Sequence, residues 1–163
     1  MSSIRAYFVH MCEYEAWANE KIFTYITSAD APEPVAGIFN HLIADITAWI
    51  LLLTGRTVPD DLDLSPSWNV EQCRRYLSLM MEELRVFVDG LSDVDFDNMV
   101  VSHAPNGRRF ENTVSEILTQ ILSHGQHHRG QIEWIVEREK GEYLGTSYMP
   151  YVRLLQQQTS GTI

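Results

Sequence analysis

The nine residues Ser123-His-Gly-Gln-His-His-Arg-Gly-Gln131 hold three of the chain's six histidines. His124 and His128 are four apart, and on a helix this spacing stacks two side chains on one face. Two imidazoles so placed can hold one divalent metal, as in the HExxH arrangement. Gly125 stands where that arrangement carries its glutamate, so the general base of a metalloprotease is missing. At about 100° per residue, Val114, Ile117, Leu118, Ile121, Ile132, Ile135 and Val136 form one apolar stripe. His128 falls inside it, His124 at its edge and His127 further round. The expected inward pair is His124 and His128, with His127 at the surface or behind them. A chance histidine cluster on a polar face is the competing account, and the alignment of two of the three with the stripe argues against it. A pair at this spacing is only half a site, so further ligands must come from another element.

The second candidate stretch supplies one. A helix is expected from about Val35 to Thr54, begun after the break at Asp30-Ala-Pro-Glu-Pro34 and ended by Gly55. Its apolar stripe is Ile38, Leu42, Ile46, Trp49 and Leu53. His41 and Asp45 lie one turn apart along the edge of that stripe, repeating the arrangement of His124 and His128. Asp45 has three roles open to it: fourth ligand, acceptor for an imidazole N–H, or plain surface carboxylate.

The remaining elements frame these two. Residues 5–28 read as a first helix, in which Glu15 interrupts the apolar stripe and Tyr14 and Trp17 flank it, as packing residues or as a pocket wall. A third helix runs from about Asn69 to Asp89, with Asn69 and Gln72 spaced as a capping box, and ends at Gly90. Residues 96–110, with Pro105-Asn-Gly107 as a turn signal, predict a short hairpin or extended loop carrying His103 as an exposed loop histidine. Thr113 and Glu116 form a second capping box and open the fourth helix, which reaches about Lys140. Ser147–Gln157 is a candidate closing helix. Four long helices with one β excursion predict an all-α four-helix bundle, whose core is where side chains of facing helices converge.

Composition narrows the function. A chain of 163 residues, 45% hydrophobic and 21% charged, suits one soluble globular domain over 1–163. The longest continuous apolar run, Ala48–Leu53, is too short for a bilayer, and the N-terminus turns polar too soon for a signal peptide. Cys12 and Cys73 lack CxxC spacing and read as reduced thiols of a cytoplasmic protein, with a pairing between them left open. A net charge of −10 and no basic cluster disfavour nucleic-acid binding. No ExxH pair occurs, which argues against a di-iron carboxylate centre.

The motifs resemble those of the DinB family of metal-binding four-helix bundles, over nearly the whole chain. Tyr14-Glu-Ala-Trp17-Ala-Asn19 is similar to the family's YNxWAN stretch, with Glu15 departing from it. Phe39-Asn-His41-Leu-Ile-Ala-Asp45-Ile-Thr-Ala-Trp49 resembles its second-helix motif, and His124-Gly-Gln-His127-His128-Arg-Gly-Gln131 its HxxHHRGQ signature. The segment Tyr143–Gln158 follows the family poorly. The resemblance implies one metal ligand on the second helix and two in the signature, which fall on His41, His124 and His128. It also implies metal-dependent transfer of a low-molecular-weight thiol to an electrophilic small molecule. Tyr14, Trp17, Trp49 and Trp134 are more aromatic surface than one small bundle needs, and with the dimers that the resemblance implies they predict a homodimer built on helix faces. From the residues themselves, three neutral imidazoles leave a Zn²⁺ or Ni²⁺ ion its full charge and an open position. Glu15 and Asp45 are the candidate proton relays. A metal that only staples the bundle, and hydrolysis at the open position, are the other readings.

Overall fold

The computed structural model describes residues 3–28, 30–59, 62–104 and 106–160. Its elements in chain order are α1 (Ile4–Ser28), α2 (Glu33–Leu53), α3 (Val70–Asp89), a 3-10 turn (Asp93–Asp97), strands β1 (Met99–His103) and β2 (Arg109–Thr113), α4 (Val114–Lys140) and α5 (Tyr148–Ser160). The expected all-α bundle with a β excursion before the last long helix is what forms. α1 packs chiefly on α3 and α2 on α4, while α2 also meets α3, and α5 lies against α1.

The helix ends follow local chemistry. Asn69 Oδ1 accepts the Gln72 N–H while Gln72 Oε1 accepts the Asn69 N–H. Thr113 and Glu116 reciprocate in the same way at the start of α4, so each pair satisfies two orphan donors. Gly141, at φ 69°, closes α4 in the left-handed conformation that lacks a Cβ penalty only for glycine. α2 begins two residues before Val35, because Pro34 fits the first helical turn, where its missing N–H costs no bond. The hairpin pairs Met99 with Thr113 and His103 with Arg109, and His103 is exposed there. Its turn keeps Gly107 at φ 80°; Pro105 of the turn signal lies outside the described residues. The 3-10 turn that buries Phe96 before the hairpin has no counterpart in the sequence expectation.

α2 is the most enclosed helix of the bundle. By length and composition it is apolar enough to cross a bilayer, with a mean hydropathy of 1.6, although its unbroken apolar run is short. In this fold Phe39, Leu42, Ile43 and Ala44 are fully enclosed between α3 and α4. A helix whose apolar surface is satisfied by neighbours reads as core. Cys12 and Cys73 are buried and unpaired.

Candidate metal centre

His41 on α2 and His124 and His128 on α4 come together: each offers a ring nitrogen, and the three lie within 4.8 Å of one another. The α2–α4 contact sets this meeting, and each ring is half-buried. The ring centroids are 4.8 Å apart for His41 and His128, and 4.3 Å for His124 and His128. His127 is exposed and outside the group, as its helical phase predicts.

Two of the rings are oriented by what their other nitrogen does. His41 Nδ1–H donates to the Leu64 carbonyl oxygen in the α2–α3 loop. His128 Nδ1–H donates to Gln131 Oε1 at 2.8 Å, and Gln131 Nε2 in turn donates to His127 Nε2 at 3.2 Å. Each bond fixes a tautomer and leaves an Nε2 lone pair free, as ligating imidazoles require. Burial pushes the His128 pKa down, against the opposing pull of the Gln131 bond. Its neutral, ligand-competent form therefore persists below the ordinary imidazole value.

The donor set fits a divalent ion. His124 Nε2 and His128 Nε2 face each other at 3.0 Å. Ligand nitrogens around a tetrahedral ion, each at ~2.0–2.1 Å, stand roughly 3.3 Å apart. Without an ion, one of the two must carry a proton toward the other, so metal uptake displaces that proton. Asp45 Oδ2 lies 3.4 Å from His124 Nε2 and accepts the Trp49 Nε1–H at 3.0 Å. Of the three roles open to Asp45, plain surface carboxylate is excluded, because its side chain is 17% exposed and held by Trp49. It faces the prospective ligating nitrogen, so it borders the centre.

Glu15 is placed differently from its expected role as a relay. Both its oxygens are taken by Arg129: Nη1 donates to Oε2 at 2.7 Å and Nη2 to Oε1 at 2.6 Å. Nη1 also donates to Asn19 Oδ1 at 2.9 Å. The side chains are 0% and 1% exposed. Burial alone would depress the Arg129 pKa; the Glu15 carboxylate outweighs it and holds the guanidinium above its ordinary value. The pair explains Gly125, since a Cβ there would come 2.7 Å from Glu15 Oε2. It also corrects the expected stripe. The centre of the α4 inner face runs through Gly125 and Arg129, with His128 at its edge and Ile135 only partly covered. Arg129 is the residue that sequence reasoning missed. Its nearest sequence signal was the charge of Glu15 in an apolar stripe, which requires a buried cation.

The C-terminal segment closes over the far side of this pair. Tyr14 donates its hydroxyl to the Thr146 carbonyl at 2.9 Å, and the Thr146 N–H donates to Glu133 Oε1 at 2.6 Å. Tyr14 thus packs within the chain against Tyr148 and Tyr151 of α5, whereas Trp134 remains 58% exposed. The two cysteines are removed from nucleophilic work: burial pushes Cys12 to about 12 and Cys73 to about 11.

A sequence model of the DinB superfamily matches residues 19–132, well over half of the chain. The chain is 22% identical over 157 residues to Protein DinB of Bacillus subtilis (strain 168), covering 86% of this chain and 90% of that protein. No solved structure matches it.

Proposed function

The chain belongs to the DinB superfamily, and from that premise we propose that it is a metal-dependent thiol S-transferase acting on an electrophilic small molecule. His41, His124 and His128 would hold the ion, Zn²⁺ or Ni²⁺, through Nε2. A bound ion with an open position supplies Lewis acidity that lowers the pKa of a thiol placed there. The observation that carries the reading is the convergence of three imidazole nitrogens with no carboxylate among them. The three imidazoles themselves leave the ion's charge uncompensated, with the Asp45 carboxylate as the nearest anion beside them. Asp45, whose Oδ2 lies 3.4 Å from His124 Nε2, would take the thiol proton; the sulfur would then bond to the electrophilic carbon, and the leaving group would depart with its electron pair. Trp49 holds Asp45 in position through its indole N–H. The chain's own thiols are not the nucleophile, because both are buried with raised pKa values. With a net charge of −10, the reading assigns small molecules rather than nucleic acid or a membrane as partners.

The test is metal analysis of protein purified without a nickel column, followed by Co²⁺ substitution and titration with candidate thiols. A thiolate charge-transfer band is expected, with turnover that rises with pH through the thiol's apparent pKa and then levels. Holoprotein whose Co²⁺ spectrum stays unchanged with every thiol would leave hydrolysis or a structural ion as the better account.

A homodimer belongs to the same proposal. The exposed Trp134 and the partly covered Ile135 line one groove of α4 with Ile38 of α2, and two-fold dimers are the commonest symmetric assembly. Light scattering is expected to give twice the chain mass of 18.8 kDa. A monomer mass at micromolar concentration refutes the dimer, and Trp134→Glu should produce that monomer.

A further inference from the structure

Asn40 stands directly before His41 on α2 and is only 5% exposed. Its Nδ2 donates to the Pro66 carbonyl at 3.2 Å and to the Trp68 carbonyl at 3.1 Å. Carbonyl oxygens only accept, so the amide nitrogen must be the atom that faces them, and both of its hydrogens are used. A buried amide is tolerated where such bonds replace those to water. The two bonds tie the loop before α3 onto α2.

That loop has little else to define its path. Among the described residues, no backbone–backbone hydrogen bond involves residues 63–68. Asp63 Oδ1 accepts the Ser65 N–H at 2.8 Å, which folds the chain at Leu64. Trp68 stacks on Tyr76 of α3 with ring centroids 4.2 Å apart. These contacts shape the loop and fasten it to α3, and Asn40 fastens it to α2. The Leu64 carbonyl then meets His41 Nδ1. That bond requires the Nδ1–H tautomer and leaves the Nε2 lone pair for an ion. Released from Leu64, the ring is free to take the Nε2–H form, in which a proton occupies the ligand position.

We propose that Asn40 is a positioning residue for the metal centre. By docking the loop on α2, it holds the Leu64 carbonyl where it orients His41 and fixes its tautomer. The inference rests on the three-histidine ligand set of the proposed function and not on its thiol chemistry. It has a reciprocal consequence. A docked loop that favours metal binding is favoured by a bound ion to the same factor. Metal uptake therefore tightens a loop that lies outside the ligand set.

The test compares Asn40→Asp with the wild-type chain. The two side chains have nearly the same shape, but a carboxylate has no hydrogen to donate and would face two carbonyl oxygens. Competition titration with Zn²⁺ is expected to show affinity ~10–100-fold weaker, the usual cost of losing the outer partner of a ligand. Val88→Ala controls for stability alone. It opens a gap in the core at the far end of α3, and it should lower the melting temperature with affinity unchanged. Long-range nitrogen–proton NMR of the metal-free wild type should find His41 in the Nδ1–H form. Asn40→Asp should populate the Nε2–H form at His41, while His128, held by Gln131, keeps its own. The wild type alone supplies a further arm that does not depend on the variant folding. There, Zn²⁺ should slow hydrogen exchange at the Ser65, Ser67 and Trp68 amides on the order of 10-fold. Wild-type affinity in Asn40→Asp, an equal loss in Val88→Ala, a metal-free His41 in the Nε2–H form, or loop exchange indifferent to Zn²⁺ would each overturn the proposal. A His41 tautomer that follows Asn40 in a protein that takes up no Zn²⁺ would sustain the positioning of the ring and defeat the metal reading.

Discussion

His128→Ala is expected to abolish tight metal binding. Its ring makes the two closest ring contacts in the cluster, with His124, whose Nε2 lies 3.0 Å from its own, and with His41. Losing it leaves two imidazoles on different helices. Removing an outer hydrogen-bond partner of a ligand typically costs ~10–100-fold in affinity, and loss of the ligand itself should exceed that. Gln131→Ala, which frees His128 Nδ1, belongs in the ~10–100-fold range by the same comparison. His127→Ala should change little, since it meets the cluster only from outside, through Gln131 and an edge contact of its ring with that of His128. Competition titration against a chromophoric chelator checks the series. Thermal melts with and without metal give a second reading, because an ion that binds only the folded chain raises its stability by mass action. The order His128 > Gln131 > His127 is the content of the prediction. A variant lacking His127 that loses metal while one lacking His128 retains it would refute the ligand set.

The parts of the fold written in local chemistry were legible in the sequence. The boxes at Asn69–Gln72 and Thr113–Glu116 each lie within one turn, and the observed bonds repeat their spacing. His124 and His128 could be paired because four residues on one helix fix their separation. His41 could be matched to them because its place on the α2 stripe gives its depth. What was not legible depends on contacts between distant segments. Arg129 meets Glu15 across 114 residues, and nothing on α4 alone marks an arginine as a core residue. An apolar stripe drawn from residue types therefore passed through His128, where the packed helix passes through Gly125 and Arg129. The Leu64 carbonyl that orients His41 comes from a loop whose path is set only after α2 and α3 dock. Tyr14 shows the same limit: α5 covers it, so it is not free for an interface.

Arg129→Met should cost the fold more than any other single change considered. It leaves the Glu15 carboxylate inside the bundle with no cation, and breaking one side of a buried pair costs ~3–5 kcal/mol. At roughly 2–4 °C per kcal/mol for a chain of this size, the melting temperature should fall by about 6–20 °C. The deficit should depend on pH in a defined direction. Burial raises the Glu15 pKa above its unfolded value near 4.5 even with Arg129 pulling it down, and in the variant nothing opposes burial, so the folded pKa stands higher still. The folded state then holds the proton longer, so stability is fullest below that unfolded value and is lost as pH rises toward the raised one. The gap between variant and wild type should therefore narrow as the pH falls toward the unfolded value near 4.5. Replacing both partners, Glu15→Leu with Arg129→Met, should recover most of the loss, since an apolar pair of similar volume is often neutral. Gly125→Ala provides the sign test. Glycine to alanine inside a helix ordinarily stabilises by about 0.5–1 kcal/mol. Here the new Cβ would stand 2.7 Å from Glu15 Oε2 and 3.0 Å from Arg129 Nη1, inside a pair with no room to retreat. The expected result is a lower melting temperature and weaker metal binding, because the same pair sets the rotation of α4 that brings His124 and His128 to His41. A higher melting temperature in Gly125→Ala would show that the pair yields easily and does not orient the helix.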